Sequence, residues 1–377
     1  MGNVLVIGGG IGGLAAATAL AHRGVEVEVF EARPALGEVG AGVTLWPNAL
    51  AVLARLGLDK AVLAQGHEIR TMTVRDRRGG RLSDISTARL RDRLGHPSVG
   101  ITRPALHDVL VDAARRAGVP IHLEARAVDV ATAPDEARVH LADGRCRDAT
   151  LVVGADGLNS AVRRRLHDDA PTDGGTLAWR AVCDTDLPAS CADSVIWRGP
   201  GSVTGAVRQA NGCFWFVTRT VPADAGDGQA DPRGLLEHFG DWAEPLPSLI
   251  ASTPPEAVHV TRLHDRRPRW GRGPVTLLGD AAHPMRPSLG QGACQALEDA
   301  STLAETVTDG RPDPLRRYEA ARRRRVARIV RYSRWVSASE QVRAPLVARL
   351  ADTSFALTPA RATTSIFERV ADPSRYP

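Results

Sequence analysis

The feature that most constrains this chain is a glycine run between a short apolar segment and an alanine-rich one, all near the N-terminus. Residues 3–7 (NVLVI) have the composition of a buried parallel strand, and residues 8–13 (GGGIGG) follow directly. Residues 14–22 then indicate a helix, and residues 25–30 a second strand that ends at Glu31. The order of strand, glycines, helix and strand predicts a βαβ unit at the start of an α/β fold.

Three of the glycines have a definite physical use in such a unit. Gly8 permits a tight turn, Gly10 lets a pyrophosphate approach the backbone, and Gly13 lets the helix pack closely on the strand. The helix N-terminus offers N–H groups and a positive dipole end to phosphates, while Glu31 is placed to bind a ribose diol. The unit predicts a bound dinucleotide without separating NAD from FAD; the alternative is a glycine-rich structural turn.

A second segment, residues 151–163 (LVVGADGLNSAVR), runs from an apolar strand into a polar turn and a basic helix start. Asp156 in this turn has two interpretations. It is a turn residue or helix cap, or it is a carboxylate directed at a ligand.

A third segment, residues 276–292 (TLLGDAAHPMRPSLGQG), also begins as an apolar strand and places Asp280 where that strand ends. Gly290 and Gly292 then precede a predicted helix over residues 293–307. An aspartate at a strand end can bind sugar hydroxyls. The glycines would bring backbone N–H groups and a second helix N-terminus to a negatively polarised ring edge.

The three motifs in this order resemble the single-component FAD-dependent aromatic hydroxylases of the 4-hydroxybenzoate hydroxylase type. The likeness runs from Val4 to about Arg325. Residues 46–49 (WPNA) and 179–180 (WR) are more similar to the branch of salicylate hydroxylase, urate hydroxylase and zeaxanthin epoxidase. The resemblance implies an α/β fold with a Rossmann-like FAD-binding domain, a β-sheet-rich substrate domain and C-terminal helices.

Strand and turn patterns divide the chain into three parts. Residues 71–99 indicate a hairpin around a Gly-Gly turn, and residues 176–264 alternate strand-like stretches with Gly, Asn and Pro clusters. We therefore assign residues 1–70, 100–175 and 265–330 to the FAD-binding domain, 71–99 and 176–264 to a substrate-binding β domain, and 331–377 to a C-terminal helical segment.

The resemblance also implies roles for individual cofactor-binding residues. Those expected to hold the ADP half of FAD are Gly8, Gly10, Gly13, Glu31 and Arg33, with the backbone of Val128 at the adenine. Those expected nearer the flavin are Arg103 at its side chain and phosphates, Asp280 at the ribityl chain, and Gly290 and Gly292 against the isoalloxazine. Asp156 belongs to a motif linked with both FAD and NAD(P)H. Residue 294 is Cys, where the resemblance leads us to expect Asn or Gly.

The implied activity is that of a monooxygenase. NAD(P)H would reduce FAD, and O2 would form a C4a-hydroperoxyflavin that hydroxylates or epoxidises an aromatic or conjugated small molecule. No catalytic residue is assigned; the candidates are His283 and Arg286. The position of His283 favours a structural or flavin-loop role. The Arg286 guanidinium could bind an anionic substrate or stabilise charge on the reduced ring.

The substrate is expected between the flavin ring and the β domain. The candidate lining residues are Trp46, Arg180, Arg208, Trp215 and Pro287. Trp215 lies in a Phe-Trp-Phe run, so it either faces the substrate or belongs to the sheet core. Arg180 and Arg208 are either surface or ion-pair residues, or clamps for a carboxylate.

Composition excludes several other classes. The net charge is only +5, which does not imply nucleic acid, and we interpret the arginines at 322–325, 328, 331 and 334 as a solvated helix face. The five cysteines are scattered without a C-x-x-C pair, so neither a zinc site nor a disulfide framework is expected. No apolar run approaches the length of about 18 residues that spans a membrane.

We therefore expect a cytoplasmic monomer or homodimer whose partners are O2 and a small molecule. Two alternatives remain open: a flavin-dependent oxidase or reductase without oxygen insertion, and a non-catalytic flavin-binding protein. A flavin-dependent halogenase is disfavoured because the sequence lacks the Trp-x-Trp-x-Ile-Pro motif of that family.

Overall fold

The computed structural model of the protein describes residues 2–37, 40–222, 226, 228–229 and 231–375. The strands, in chain order, are β1 (Val4–Ile7), β2 (Val27–Phe30), β3 (Gly42–Leu45), β4 (His67–Ile69), β5 (Thr71–Asp76), β6 (Arg81–Ser86), β7 (Ser98–Thr102), β8 (Ile121–His122), β9 (Ala127–Thr132), β10 (Ala137–Leu141), β11 (Cys146–Ala149), β12 (Leu151–Gly154), β13 (Thr172–Cys183), β14 (Ser194–Gly199), β15 (Ser202–Arg208), β16 (Cys213–Thr220), β17 (His259–Asp265) and β18 (Val275–Leu277).

The α-helices are α1 (Ile11–Ala21), α2 (Pro47–Arg55), α3 (Asp59–Gln65), α4 (Thr87–Leu94), α5 (Arg103–Arg116), α6 (Ala161–His167), α7 (Pro232–Phe239), α8 (Leu246–Ala251), α9 (Gly292–Thr308), α10 (Pro314–Glu340), α11 (Pro345–Leu357) and α12 (Ala360–Ala371). Short 3₁₀ turns cover Pro255–Ala257, Gly279–Ala281, Pro287–Leu289 and Pro373–Arg375. The described helices include none that is long and apolar enough to cross a membrane.

A parallel sheet of five strands carries the three sequence motifs. Its order is β18-β12-β1-β2-β8, and β1 is buried along its whole length. Because the carboxyl ends of parallel strands meet at one edge, the turns after β1, β12 and β18 lie side by side. That edge therefore brings together the glycine run, the Asp156 turn and the Gly279–Ala281 turn.

A second sheet of seven strands forms the β-rich part, in the order β17-β13-β16-β15-β14-β5-β6. The hairpin of β5 and β6 joins this sheet through a parallel pairing of β5 with β14. On one face, Trp197 and Trp215 pack with side chains of α7 and α8, including Phe239 and Leu246. Phe214 packs on the opposite face with Ala41, close to the parallel-sheet part. The predicted fold class is confirmed.

The interpretation of the arginine run as a solvated helix face is wrong for two of its members. Arg322 and Arg325 are only 4% and 2% exposed, because α10 turns them inward onto two adjacent carboxylates of α9. The Glu298 carboxylate accepts from both guanidinium groups at 2.6 Å, and Asp299 accepts from Arg322 Nε at 2.6 Å. Arg323, which lies between them on the helix, is exposed.

This buried ion network has a clear electrostatic effect on Glu298. Burial by itself would raise the pKa of Glu298, but the charges of Arg322 and Arg325, with hydrogen bonds from Arg325 and Asn48, lower it to about 2. Glu298 therefore stays ionised, and the network holds α9, α10 and α2 together.

We expect Glu298→Gln to destabilise the protein strongly. The variant keeps the shape of the side chain but leaves two buried cations with too little negative charge, a change that typically costs about 3–5 kcal/mol. Urea denaturation measures the free energy of unfolding. Glu305→Gln is the matched control, since Glu305 lies on the same helix but is exposed, and it should change stability by less than about 0.5 kcal/mol. Equal losses in the two variants would contradict this account.

We also expect a specific loss of stability in acid. The pKa of Glu298 is lower in the folded protein, about 2, than its ordinary value of 4.5. The resulting stabilisation is fully present above the ordinary value and is lost as the pH falls toward the folded one. Urea denaturation across this window should show a steeper decline for the wild type than for Glu298→Gln. Parallel slopes would show that Glu298 does not contribute to the pH dependence of the free energy of unfolding.

Candidate active site

The glycine run makes two close approaches that a side chain would block. Gly8 has a φ of +112°, and a Cβ there would lie 2.4 Å from the Ala155 carbonyl oxygen. A Cβ at Gly13 would lie 2.0 Å from the Gly8 carbonyl oxygen. Both distances are impossible for real Cβ atoms, so β1, α1 and the β12 turn pack backbone to backbone. Helix α1 then begins after Gly10 with no side chain capping its N–H groups.

A cavity of about 570 Å³ opens beside this turn. It collects six of the residues that the sequence assigned to the cofactor: Gly8, Gly10, Glu31, Arg33, Val128 and Asp156. Val128 is 51% exposed and presents its strand backbone at the rim. Arg126 and Arg164 add positive charge to the wall, which suits a phosphate-bearing ligand.

The two acidic residues of the cavity are held by backbone N–H groups. Glu31 accepts from Gly9 N–H at 2.7 Å and from Arg33 N–H at 2.9 Å, so its carboxylate is fixed at the end of β2. The Arg33 side chain in turn donates to the Gly37 carbonyl at 2.7 Å. The carboxylate is thereby presented to the cavity in one orientation.

Asp156 is anchored to the start of α6 through one of its two carboxylate oxygens. One oxygen, Oδ2, accepts from Ala161 N–H at 2.7 Å and from Val162 N–H at 3.3 Å at the start of α6. The other oxygen, Oδ1, is buried and has no hydrogen-bond partner among the described residues. Burial raises the pKa of Asp156, although the hydrogen bonds from Ser160 and Val162 oppose the shift. An unmatched acceptor in a cavity of this kind fits a ligand that carries hydroxyl donors.

The remaining predicted cofactor residues lie outside this cavity. Asp280 is exposed in the 3₁₀ turn after β18, and Gly292 opens α9 with no capping side chain. Gly290 has a φ of +60°, and a Cβ there would come within 3.0 Å of Trp46 Nε1. That indole N–H is buried without a partner among the described residues. Arg103 begins α5, next to Gly40.

Together these features fit a bound FAD. The glycine turn would be filled by any Cβ, while the open N-termini of α1 and α9 offer N–H groups to anionic ligand atoms. An unmatched acceptor at Asp156 and an unmatched donor at Trp46 are both present. The site therefore offers both hydrogen-bond donors and a hydrogen-bond acceptor, as a dinucleotide with a ring at one end requires.

His283 is turned into the interior. It is 1% exposed, and its Nε2 pairs with Asp299, which also accepts from Gly279 N–H at 3.0 Å. This contact fixes the 3₁₀ turn that carries Asp280. The placement corresponds to the structural role that its sequence position favoured.

Arg286 is likewise anchored by protein groups. Its Nη1 donates to the Gly174 carbonyl at 3.0 Å and to Ser337 Oγ at 3.1 Å, which ties the loop to the start of β13 and to α10. The next residue, Pro287, is exposed at the start of a 3₁₀ turn. Ser288 in that turn donates to Glu340 at 2.7 Å. Burial raises the pKa of the Glu340 carboxyl, while Ser288 opposes the shift.

The Phe-Trp-Phe run divides between the two faces of the second sheet. Trp215 is fully buried on the helix-covered face and donates from Nε1 to Thr253 Oγ1 at 2.9 Å. It therefore belongs to the sheet core and does not line the face near the parallel sheet. Phe214 and Phe216 point the other way, with their rings stacked at 5.8 Å.

The two candidate arginines of this sheet have different surroundings. Arg208 donates to the Leu187 carbonyl at 2.9 Å and the Pro188 carbonyl at 3.2 Å, and its Nε lies 3.6 Å from the Asp193 carboxylate. It is therefore an ion-pair residue that fastens a loop. Arg180 lies on β13 opposite Phe216 and donates to Thr261 Oγ1. Burial, then the charge of Arg103, lowers the pKa of Arg180, and no carboxylate of the described residues opposes that shift.

Arg163, which the sequence motifs did not mark as functional, joins two of these motifs. Arg163 is fully buried and donates from Nη1 to the carbonyls of Ala281 and Ala282, both at 3.0 Å. It also pairs with Asp169. The sequence shows that Arg163 lies in the basic start of a helix after Asp156, but it does not show that the side chain is buried. The carbonyls that it reaches lie more than a hundred residues further along the chain.

Comparison with known proteins agrees with this geometry. Residues 1–333 match the family model described as FAD binding domain. The chain is 40% identical over 326 residues to the aurachin C monooxygenase/isomerase of Stigmatella aurantiaca, covering 85% of each chain. It is 35% identical over 350 residues to 3-hydroxybenzoate 6-hydroxylase 1 of Aquipseudomonas alcaligenes, covering 89% of this chain and 88% of that one.

A solved structure extends the similarity to the whole fold. HpxO of Klebsiella pneumoniae, complexed with FAD and uric acid, superposes with a TM-score of 0.90 at 28% identity, covering 98% of this chain and 96% of the other. The family model covers most of the sequence, and the curated relatives exceed 30% identity over most of both chains. The chain therefore belongs to the FAD binding domain family, and it is an FAD-dependent monooxygenase.

Proposed function

We propose that this enzyme uses NAD(P)H and O2 to hydroxylate, or epoxidise, an aromatic or conjugated small molecule. The observation that carries the proposal is the meeting of three separate motifs at one edge of the parallel sheet. When bound there, FAD supplies the redox chemistry that connects NAD(P)H, O2 and the substrate. The protein's own contribution is to bind, orient and shield the reacting groups.

At one end of the edge, the protein holds the ADP half. The N–H groups at the start of α1 would receive the pyrophosphate, and Glu31 would accept hydrogen bonds from the ribose. The two backbone N–H groups that hold the Glu31 carboxylate keep it oriented before the ligand arrives. The free oxygen of Asp156 takes a further hydroxyl or amine donor from FAD or NAD(P)H.

At the other end, the protein holds the ring system. Asp280 would bind the ribityl chain of FAD, and Gly290 and Gly292 would let the ring approach the backbone at the start of α9. The positive end of the helix dipole would favour negative charge at that place. His283 and Asp299 keep the Asp280 turn in place.

The substrate lies between this ring and the face of the second sheet that carries Phe214 and Phe216. Aromatic side chains on that face suit an aromatic substrate. Arg180 adds a desolvated positive charge without a carboxylate partner among the described residues, which suits a phenolate or carboxylate on the substrate. The names of the relatives, which include 3-hydroxybenzoate 6-hydroxylase, support this class.

The test uses the full chain loaded with FAD and a panel of aromatic carboxylates, phenols and quinolones. We expect some members of the panel to accelerate NAD(P)H oxidation and to gain the mass of one oxygen atom. Accelerated NAD(P)H oxidation that yields only hydrogen peroxide across the panel would favour an oxidase or reductase. No ligand-dependent turnover at all would favour a non-catalytic flavin-binding protein.

Substitution of Arg180 should weaken binding of an anionic substrate. A hydrogen bond to a charged group contributes about 1.5–3 kcal/mol, so Arg180→Gln should raise the Kd roughly 10- to 100-fold. Perturbation of the flavin absorption spectrum by the ligand measures that Kd. Arg208→Gln is the matched control from the same sheet, because Arg208 contacts loop carbonyls. Equal effects of the two substitutions on the Kd would show that Arg180 does not bind the substrate.

We also propose a cytoplasmic location and a monomeric or homodimeric state. All five cysteines are free, which suits a reducing compartment. Fractionation of the native cell tests the first point, and light scattering of the FAD-loaded protein tests the second. Recovery outside the cytoplasm, or an assembly larger than a dimer, would contradict them.

A further inference from the structure

Two of the cysteines form a close pair inside the second sheet. Cys183 is the last residue of β13 and Cys213 the first residue of β16, and the antiparallel register places them directly opposite each other. Their Sγ atoms are 3.4 Å apart. Cys183 is 6% exposed and Cys213 is fully buried, so Cys183 is the one nearer to the surface.

The backbone already has the spacing of a disulfide. Directly opposed residues of antiparallel strands have Cα atoms about 4.5–5.5 Å apart. A disulfide spans Cα separations of about 4.4–6.8 Å. Rotation of the two side chains is therefore enough to bring the sulfur atoms into bonding distance, without a shift of either strand.

The pair also has the electrostatic character of a reactive thiol and its partner. The hydrogen bond between the two thiols lowers the pKa of Cys183, against burial, and together with burial it raises the pKa of Cys213. Cys183 is therefore the thiol that ionises first. Cys294 provides the contrast within the same protein. It is buried without a neighbouring thiol, and burial raises its pKa to about 12.

We propose that Cys183 and Cys213 are a site of reversible oxidation, at which hydrogen peroxide converts the two thiols into a disulfide that joins β13 to β16. The Cys183 thiolate attacks peroxide: an S–O bond forms, the O–O bond breaks, and the departing hydroxide takes up a proton to become water. The Cys213 sulfur then attacks the Cys183 sulfur. An S–S bond forms, the S–O bond breaks, and a second water leaves with the Cys213 proton.

The source of the oxidant connects this site with the enzyme, and this connection rests on the proposed function. A flavin monooxygenase that reduces O2 without transferring oxygen to a substrate releases hydrogen peroxide. The residues next to the pair, Val182 and Phe214, face the substrate side of the sheet. A cross-link at this point would fix the end of the sheet that borders the substrate.

The experiment treats the FAD-loaded full chain with added hydrogen peroxide, after reduction and removal of the reductant. Alkylation under denaturing conditions counts the remaining thiols, and peptide mapping locates any cross-link. We expect two of the five thiols to disappear, the mass to fall by two hydrogen atoms, and one peptide to join residue 183 to residue 213. A dithiol reductant should restore all five.

Three variants complete the test. Cys183→Ser and Cys213→Ser should each abolish the cross-link, and two independent variants keep the test valid if one fails to fold. Cys191→Ser is the matched control, because Cys191 is partly buried near the same core, and it should still lose two thiols. Because the peroxide is added, failure of oxygen transfer in the activity assay would leave this result unaffected.

Other outcomes would overturn the proposal. These are five thiols that survive peroxide, a cross-link that involves Cys191 or Cys146, and addition of oxygen to Cys183 while Cys213 stays free. Each would show that the close approach of the two thiols is a packing contact only.

Discussion

The edge of the parallel sheet that carries the three motif turns depends on the contacts of one buried carboxylate, that of Asp299. One of its oxygens accepts from Gly279 N–H and pairs with His283, while the other accepts from Arg322 on α10. A single buried charge thus fixes the turn after β18 to α9 and fixes α9 to the long helix behind it. Burial would raise the pKa of Asp299, but the charges of His283 and Arg322 lower it, so the carboxylate stays ionised.

Glu298 extends the same network to α2 and to the residue before α9. Its carboxylate accepts from Asn48 at the start of α2, and Asn48 also donates to Gln291, the residue before α9. Arg163 supplies a second link, from the Asp156 helix to the carbonyls behind Asp280. The loops that would contact the cofactor are therefore each tied to buried polar groups, which gives a preorganised site rather than one that the ligand must assemble.

Local patterns in the sequence were sufficient to locate the three turns that meet at this edge of the parallel sheet. The glycine turn, the Asp156 turn and the Gly279-Asp280 turn each follow an apolar strand within a few residues, and parallel topology alone brings them together. Residues whose role depends on distant partners could not be placed in this way. Arg322 has the polarity of a surface residue, and only packing against α9 shows that it is buried.

The same limit applies to the side chains of the second sheet. Alternation along β16 left open which face Trp215 would occupy, and only the packing of α7 and α8 on the sheet settles it. Arg180 and Arg208 look alike in sequence, but one contacts loop carbonyls and the other does not. The pairing of Cys183 with Cys213 required the strand register, which short-range patterns do not encode.

The most direct measurement of the central claim is the origin of the oxygen atom in the product. The FAD-loaded enzyme would turn over an accepted aromatic substrate with NAD(P)H under isotopically labelled dioxygen, and product mass would be compared with that from unlabelled gas. The account predicts one labelled oxygen atom in each product molecule. Product oxygen derived from water, or oxidised product without added oxygen, would contradict it.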